Sequence, residues 1–447
     1  MAERLRRVAV LTGVAKEATG AALKELAAAR ERFGVELLMP ADEAARHDDA
    51  AGLGYALVDE VALRAADVCL VFGGDGAILR ALGRLLGSPV PTLGVNYGNV
   101  GFLAALERDD WAGGLAAILG GDHRVIELLT VDVQVNGRRS RRPPSTRPRR
   151  PRTPSRSSMA ERLRRVAVLT GVAKEATGAA LQELAAARER LGVELLMPAD
   201  EAARHDETAA QGYALVDEAG LRAADVCLVF GGDGTILRAL GRLLGSPVPT
   251  LGVNYGNVGF LAALERDAWA GGLAAILGGD HRVIELLTVD VRVNGRRFTA
   301  VNDVILSRVA PRHVLQLEYE VAGVTVGSMF CDGLIIASPT GSTAYNLSCG
   351  GPIVEWNAGV LVLNFIAPHS LGFRPVILRP DHVISARNVS PLQEAEIVVD
   401  GDTVGRLCCG DDVRIAAGPQ LARLMVSAEG SFYQNVEQKL FDRRDAR

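Results

Sequence analysis

Residues 224–245 read ADVCLVFGGDGTILRALGRLLG, and residues 66–87 repeat them with alanine in place of Thr235. The apolar run Val226 to Phe230 is short and ends at glycine, which predicts a buried strand. Gly231, Gly232 and Gly234 permit a tight turn with φ > 0, and a helix is predicted from Thr235 onward. Beyond the carboxyl end of such a strand, a ligand meets backbone N–H groups and a helix N-terminus, which suits phosphate. Arg238, one turn into the helix, can add a cationic contact. Asp233 is out of place there, because a carboxylate repels phosphate. It is expected to take a proton or to hold a magnesium ion. An aspartate in this position is also an ordinary helix N-cap.

Around this unit, RRVAVLTG, VELLMP and PTLGVN read as further short strands, separated by helical stretches such as KEATGAALQELAAARERLG. Strand and helix in alternation predict a parallel sheet with helices on its faces. From residue 288 the rhythm changes. TVDVRVNG, VNDVILSRV, VLQLEYEVAG, GLIIAS, VLVLNFIA, EAEIVVDG and DDVRIAAG are short, often alternating runs between turn signals, which predict a β-rich domain.

Shifted by 158 residues, the chain matches itself: residues 1–139 align without a gap on 159–297, with 11 differences. The period is far longer than that of a solenoid repeat, so this is duplication of a whole segment. Between the copies lies SRRPPSTRPRRPRTPSRSS, residues 140–158, with seven arginines, five prolines and no apolar side chain. It cannot bury a core and is expected to be disordered. A basic nucleic-acid-binding tail is the other reading of such a run. The first copy departs from the second just where RRFTAVND should follow, as after a change of reading frame, and Met159 resembles a start. The expected organisation is an incomplete α/β copy over 1–139, a linker over 140–158, an α/β nucleotide-binding domain over 159–287 and a β-rich dinucleotide-binding domain with a C-terminal tail over 288–447. Residues 159–447 read as a complete protein.

The composition is that of an ordinary globular protein, 48% hydrophobic and 23% charged. A net charge of −4 gives no reason to expect nucleic acid or an anionic membrane as partner. No apolar run approaches the roughly 18–20 residues of a membrane helix, and the basic start MAERLRRVAVLTG reads as a first strand rather than a leader. A cytoplasmic location is expected. Cys69, Cys227, Cys331, Cys349, Cys408 and Cys409 form no CxxC pair, and the histidines show no metal-binding spacing. The expected thiols are reduced, and no protein-built metal site is expected.

Three further stretches carry polar groups that a plain scaffold does not need. CDGLIIASPTGSTAYNLSCGGPI, residues 331–353, ends a strand in a dense cluster of hydroxyl and small residues, with Asp332, Thr343, Ala344, Tyr345 and Ser348 placed to meet a nucleotide. In VNDVIL, Asn302 and Asp303 interrupt an apolar run and suit ribose hydroxyls. GVNYGNVGFL, residues 252–261, is a second glycine-rich loop whose Asn254 and Phe260 can line the same cleft. His369, in APHSLGFRP, reads as structural.

In this order, GGDGT, NxGxxGFL, an Asn–acid pair and DGLxxxSPTGSTAYxLSxGGP closely resemble the NAD kinase family, over residues 159 to roughly 435. The resemblance implies a Rossmann-like parallel-sheet domain joined to a β-rich domain, with the substrate site between them. It implies phosphoryl transfer from ATP or polyphosphate, with Mg²⁺ or another divalent cation, to the 2′-hydroxyl of the adenosine ribose of NAD. Asp233 would activate that hydroxyl. Gly234, Arg238, Asn254, Phe260, Asn302, Asp303, Asp332 and the stretch from Thr343 through Ala344 and Tyr345 to Ser348 would bind substrate. The family usually carries Glu where this chain has Asp303. A homo-oligomer is also implied. GGDG turns occur in lipid kinases of the diacylglycerol and sphingosine type and in phosphofructokinases, and a dinucleotide sensor without catalysis is a further alternative. The first copy keeps Asp75 and Asn96 but stops before any counterpart of Asn302, Asp332 or Tyr345, so it is expected to contribute no turnover.

Overall fold

The computed structural model describes residues 5–13, 16–47, 52–97, 101–131, 134–135, 138–139, 163–171, 174–205, 211–256, 259–310 and 312–441. The Arg/Pro-rich stretch 140–158, expected to be disordered, lies outside them. The chain divides into two compact units, Met1–Arg156 and Ser157–Arg447.

In the second unit, Ala214–Val216, Glu194–Pro198, Arg165–Thr170, Val226–Gly231 and Thr250–Asn254 lie side by side in that order, all parallel. Alternate residues face opposite layers, as the two-residue period of a strand requires. Val166, Val168, Leu228, Phe230 and Val253 enter one core. Ala167, Leu169, Cys227 and Val229 enter the other. Helix Lys174–Leu191 closes the first layer with Ala180, Leu181, Leu184 and Ala185, one stripe at helical spacing. Helix Asp233–Arg242 closes the second with Ile236, Ala239 and Leu240. Phe230 anchors the first layer edge-on to Trp269, with ring centroids 5.1 Å apart.

The β-rich part is a sandwich of two six-stranded antiparallel sheets. One holds Arg296–Ala300, Val289–Val293, Asp412–Ala417, Ile384–Asn388, Leu315–Val321 and Val324–Cys331; the other holds Val376–Leu378, Leu361–Ile366, Gly333–Ala337, Asp303–Arg308, Ala395–Val399 and Asp402–Leu407. Their facing side chains, among them Val291, Leu317, Ile415, Leu306, Ile336 and Phe365, form one core.

The α/β sheet is not finished at residue 287. Ala422–Ser427, from the part expected as β-rich domain and tail, returns to it, where it meets Thr250–Asn254 in parallel and His281–Leu286 antiparallel. Leu424, Met425 and Val426 are buried in succession, Met425 in one layer and Leu424 and Val426 in the other, as in a strand covered on both faces.

The first unit repeats the parallel sheet in the order Ala56–Val58, Glu36–Pro40, Arg7–Thr12, Val68–Gly73, Thr92–Asn96 and Leu106–Glu107. It then departs from the second although the sequence does not. HRVIELL occupies both 123–129 and 281–287. Paired with Ala422–Ser427 it forms the strand His281–Leu286; in the first unit, which has no such strand, it adopts no regular structure. Ile284 is 7% exposed and its counterpart Ile126 is 72% exposed. Tertiary pairing, rather than propensity, makes this strand.

Replacing the fully buried Leu424 by alanine should therefore destabilise the second unit by about 2–5 kcal/mol. Chemical denaturation of the full chain measures it, and a loss below about 1 kcal/mol would show that the returning strand is peripheral to the core.

Candidate active site

Asp233 opens the helix Asp233–Arg242 at the carboxyl edge of the parallel sheet, following strand Val226–Gly231. The N-cap position belongs to Gly232, and the Asp233 side chain does not cap its helix. Its carboxylate turns to the neighbouring loop instead, accepting the Phe260 N–H at 2.8 Å and the Leu261 N–H at 3.0 Å. Each oxygen keeps lone pairs for another partner. Burial raises its pKa above the ordinary value, opposed by the two amides and by the charge of Lys439.

The glycines work differently from the sequence reading. None of Gly231, Gly232 and Gly234 has positive φ. What counts is proximity: a Cβ on Gly231 would fall 2.6 Å from the Thr235 side chain, and one on Gly232 would fall 3.5 Å from the Gly256 backbone. Gly234 faces open space and is exposed, as is Arg238.

The loop opposite is pinned from several sides. Asn254, which is buried, donates through Nδ2 to Glu265 at 3.0 Å and accepts the Gly256 N–H at 3.0 Å. Phe260 is 5% exposed, and its carbonyl accepts from Asn435 at 3.0 Å. Thus Phe260 contributes a covered ring and a held backbone rather than an open aromatic face.

On the sandwich side, Asn302 and Asp303 sit at the start of strand Asp303–Arg308. The carboxylate of Asp400 holds their turn by accepting the amides of Val301, Asn302 and Asp303 at 2.7, 2.8 and 3.3 Å. Asp400 itself has φ of 48° and precedes Gly401 at 93°, the pairing a tight hairpin turn selects. The Asn302 carbonyl accepts the Ser338 N–H at 2.8 Å. A Cβ on Gly341 would overlap that carbonyl, so the SPTGSTAY turn approaches only because glycine stands there. Asn302 Oδ1 is buried without a protein partner. Such an acceptor is what a ligand donor would satisfy.

Asp303 is 5% exposed, and burial together with the nearby Asp400 charge pushes its carboxyl up to about 7. Its charge in turn raises the Cys349 thiol, after burial; burial, Cys349 and Asp332 raise the Tyr345 hydroxyl. Asp303, Cys349, Tyr345 and Asp332 are therefore within electrostatic reach of one another. Asp332 carries an ion pair with Arg308 at 2.9 Å. Thr343 turns its hydroxyl back to the Thr340 carbonyl, Ala344 is half-buried, and Tyr345 and Ser348 are exposed on the short helix Tyr345–Ser348.

The two halves share a core, since Ile236 and Leu261 pack in the same buried cluster as Val301, Trp356 and Phe432. A cavity of about 1000 Å³ lies elsewhere, lined by Arg164, Arg165, Glu194 and Asp225 at the amino ends of the strands. Asp225 there accepts the Arg164 and Arg165 amides, so its polar groups are engaged away from the chemistry. Sequence reading missed Asp400, Ser338, Gly341, Glu265 and Lys439. Only Asp400–Gly401 and the glycine of PTGST left a local signal, that of a turn.

A glycine-rich parallel sheet with an acid at its carboxyl edge, joined to a sandwich that offers a second polar turn, defines a nucleotide-dependent phosphotransferase class. The ATP-NAD kinase N-terminal domain matches residues 28–123 and again 150–281, and the ATP-NAD kinase C-terminal domain matches 301–426. An NAD kinase of Geobacter sulfurreducens is 36% identical over 223 residues, 48% of this chain and 78% of that protein. One of Symbiobacterium thermophilum is 34% identical over 271 residues, 60% of this chain and 90% of that protein. The yeast NADH kinase, solved with NADH, shares the fold at a TM-score of 0.57 and 22% identity, over 64% of this chain and 90% of that one. The chain belongs to the ATP-NAD kinase family.

The Asp303–Asp400 pair has a consequence for stability. The Asp303 carboxyl lies at about 7 in the folded protein against an ordinary 3.8, so the folded state holds an extra proton across that window. Stability contributed below it is lost as pH rises from about 4 to 7. Asp303→Asn should flatten this slope, visible as urea midpoints that no longer fall between pH 5 and 7.5; an unchanged slope would assign it to other groups.

Proposed function

We propose that the second unit transfers a phosphoryl group from ATP to the 2′-hydroxyl of the adenosine ribose of NAD, giving NADP, with Asp233 taking the hydroxyl proton. The observation that carries this reading is the Asp233 carboxylate. It is largely buried, raised in pKa by burial, and fixed by two backbone amides at the carboxyl edge of the sheet. A secondary alcohol is a poor nucleophile, and a carboxylate of raised pKa is a better base for it. Fixing that base through the backbone leaves little reorganisation for the reaction itself.

The orphaned Asn302 Oδ1 and the neighbouring Asp303 suit ribose hydroxyls, and Tyr345 offers an exposed ring for stacking. Gly234 leaves the helix N-terminus open to donor phosphates. Among the described residues no group of three or more His, Cys, Asp or Glu side chains is arranged to hold a metal. A magnesium ion bound chiefly through the phosphates of ATP or polyphosphate would supply charge neutralisation on the transferred group.

The first unit retains the acid latch, with Asp75 accepting the Phe102 and Leu103 amides at 3.0 and 3.1 Å. It lacks the sandwich, so we assign all turnover to the second unit.

The test is NADP formation by the full chain and by residues 159–447, each with and without Asp233→Asn, using ATP–Mg²⁺ and then polyphosphate. The substitution should lower kcat by about 10²–10⁴ in both, and deletion of 1–158 should leave it unchanged. NAD binding without turnover on either donor would replace this reading by that of a dinucleotide sensor.

A further inference from the structure

The two units form an internal comparison, because the same latch is built with and without the residues that follow it. In the first, Phe102 is 88% exposed; in the second, Phe260 is 5% exposed. The first unit lacks both the sandwich and the C-terminal segment, and in the second that segment bonds directly to this loop.

That segment comprises the helix Phe432–Val436 and the π-helical stretch Glu437–Phe441. Ser431 caps it, with its hydroxyl accepting the Tyr433 N–H while Gln434 reaches back to the Ser431 amide. Phe432 is buried against Trp356, with ring centroids 5.2 Å apart, which ties the segment to the sandwich. Two polar side chains then reach the α/β loop. Asn435 donates to the Phe260 carbonyl at 3.0 Å, and the N–H of that same peptide unit, that of Leu261, donates to Asp233 at 3.0 Å. Lys439 meets Glu265 at 2.9 Å, and the other oxygen of Glu265 accepts from Asn254 at 3.0 Å. Lys439 lies close enough to act electrostatically on Asp233.

We infer that the segment Phe432–Phe441 is a positioning strap for the catalytic aspartate, in which Asn435 fixes the amide that orients Asp233 and Lys439 sets the charge beside it. The inference rests on the kinase reading of the site. The strap contacts both halves of the unit, Trp356 on one side and Phe260 and Glu265 on the other. Charged groups around Asp233 are Lys439 from the strap, its partner Glu265 from strand Ala262–Glu265, and the exposed Arg238 on the same helix as Asp233. Lys439 opposes the upward shift of the Asp233 carboxyl that burial causes. Removing this cation raises the pKa further, so the base is protonated at higher pH and the acid limb of the rate profile moves upward.

The experiment compares the full chain with its Lys439→Met, Lys439→Arg and Asp233→Asn variants and with the Lys439→Met/Asp233→Asn double variant. For each, kcat and KM for NAD are measured from pH 5.5 to 9, together with the thermal midpoint. Lys439→Met should lower kcat at pH 7 at least tenfold, leave KM within about twofold, and move the acid limb to higher pH; Lys439→Arg should restore all three. In the double variant the lysine substitution should add nothing, because its effect passes through Asp233. A Lys439→Met enzyme with wild-type kcat and pH profile would overturn the strap. So would a loss that follows the thermal midpoint with the acid limb unmoved, since that is a structural role. A wild-type chain that makes no NADP would instead overturn the kinase reading, and the strap with it.

Discussion

One strand holds the second unit together. Ala422–Ser427 is inserted between Thr250–Asn254 and His281–Leu286, more than a hundred residues after the rest of that sheet has been laid down. Its side chains Leu424 and Val426 enter the same core as Ile236 beneath the glycine turn and Val301 beside Asn302. Because a packed core transmits displacement rather than absorbing it, the positions of Asp233 and of the Asn302 turn are set together. The long separation in sequence has a kinetic counterpart: the loop closure that brings this strand home must be made before its contacts can repay it.

The parallel sheet was legible because its information is local. Buried strands of five or six apolar residues, the helical stripe of Lys174–Leu191 and the glycine turn are each read within a window of a dozen positions. Boundaries moved little: the helix expected from Thr235 begins at Asp233. What escaped was information held between distant segments. Ala422–Ser427 carries a continuous buried apolar run, Leu424 to Val426, but which sheet takes it is decided by a strand edge far away in sequence. The role of the glycines escaped for the same reason. Their spacing announced a turn of positive φ, yet the need is for close approach, and the approaching atoms belong to Thr235 and Gly256. Asp400–Gly401 carries the local signal of a hairpin turn; that the same carboxylate holds three amides of the Asn302 turn depends on the pairing of Ala395–Val399 with Asp303–Arg308.

Asp332 pairs with Arg308, but three other acids of the site are stabilised by other means. Asp233, Asp303 and Asp400 are all largely buried and all raised in pKa. An uncompensated buried charge costs several kcal/mol, so each acid must be relieved in some way. Asp400 is relieved by three backbone amides and Asp233 by two. Asp303 has no such set and is the one driven up to about 7, where it takes a proton in the physiological range. Backbone donors are a restrained solution for a phosphate site. They orient a carboxylate without a side-chain cation bonded to it.

The duplicated segment separates what makes a fold from what makes a site. Both copies build the sheet, both cap Val226–Gly231 or its counterpart Val68–Gly73 with a helix, and both turn an aspartate onto the two amides of the next loop. Local sequence suffices for all of that. Only the second copy covers its loop, because cover comes from the sandwich and from the chain's end: Val301, Trp356 and Phe432 from above, Asn435 and Lys439 from the side. The latch therefore precedes the site in the logic of the sequence, and burial converts one into the other. In the second copy, burial raises the Asp233 carboxyl while the two amides fix its direction, and proton transfer requires both.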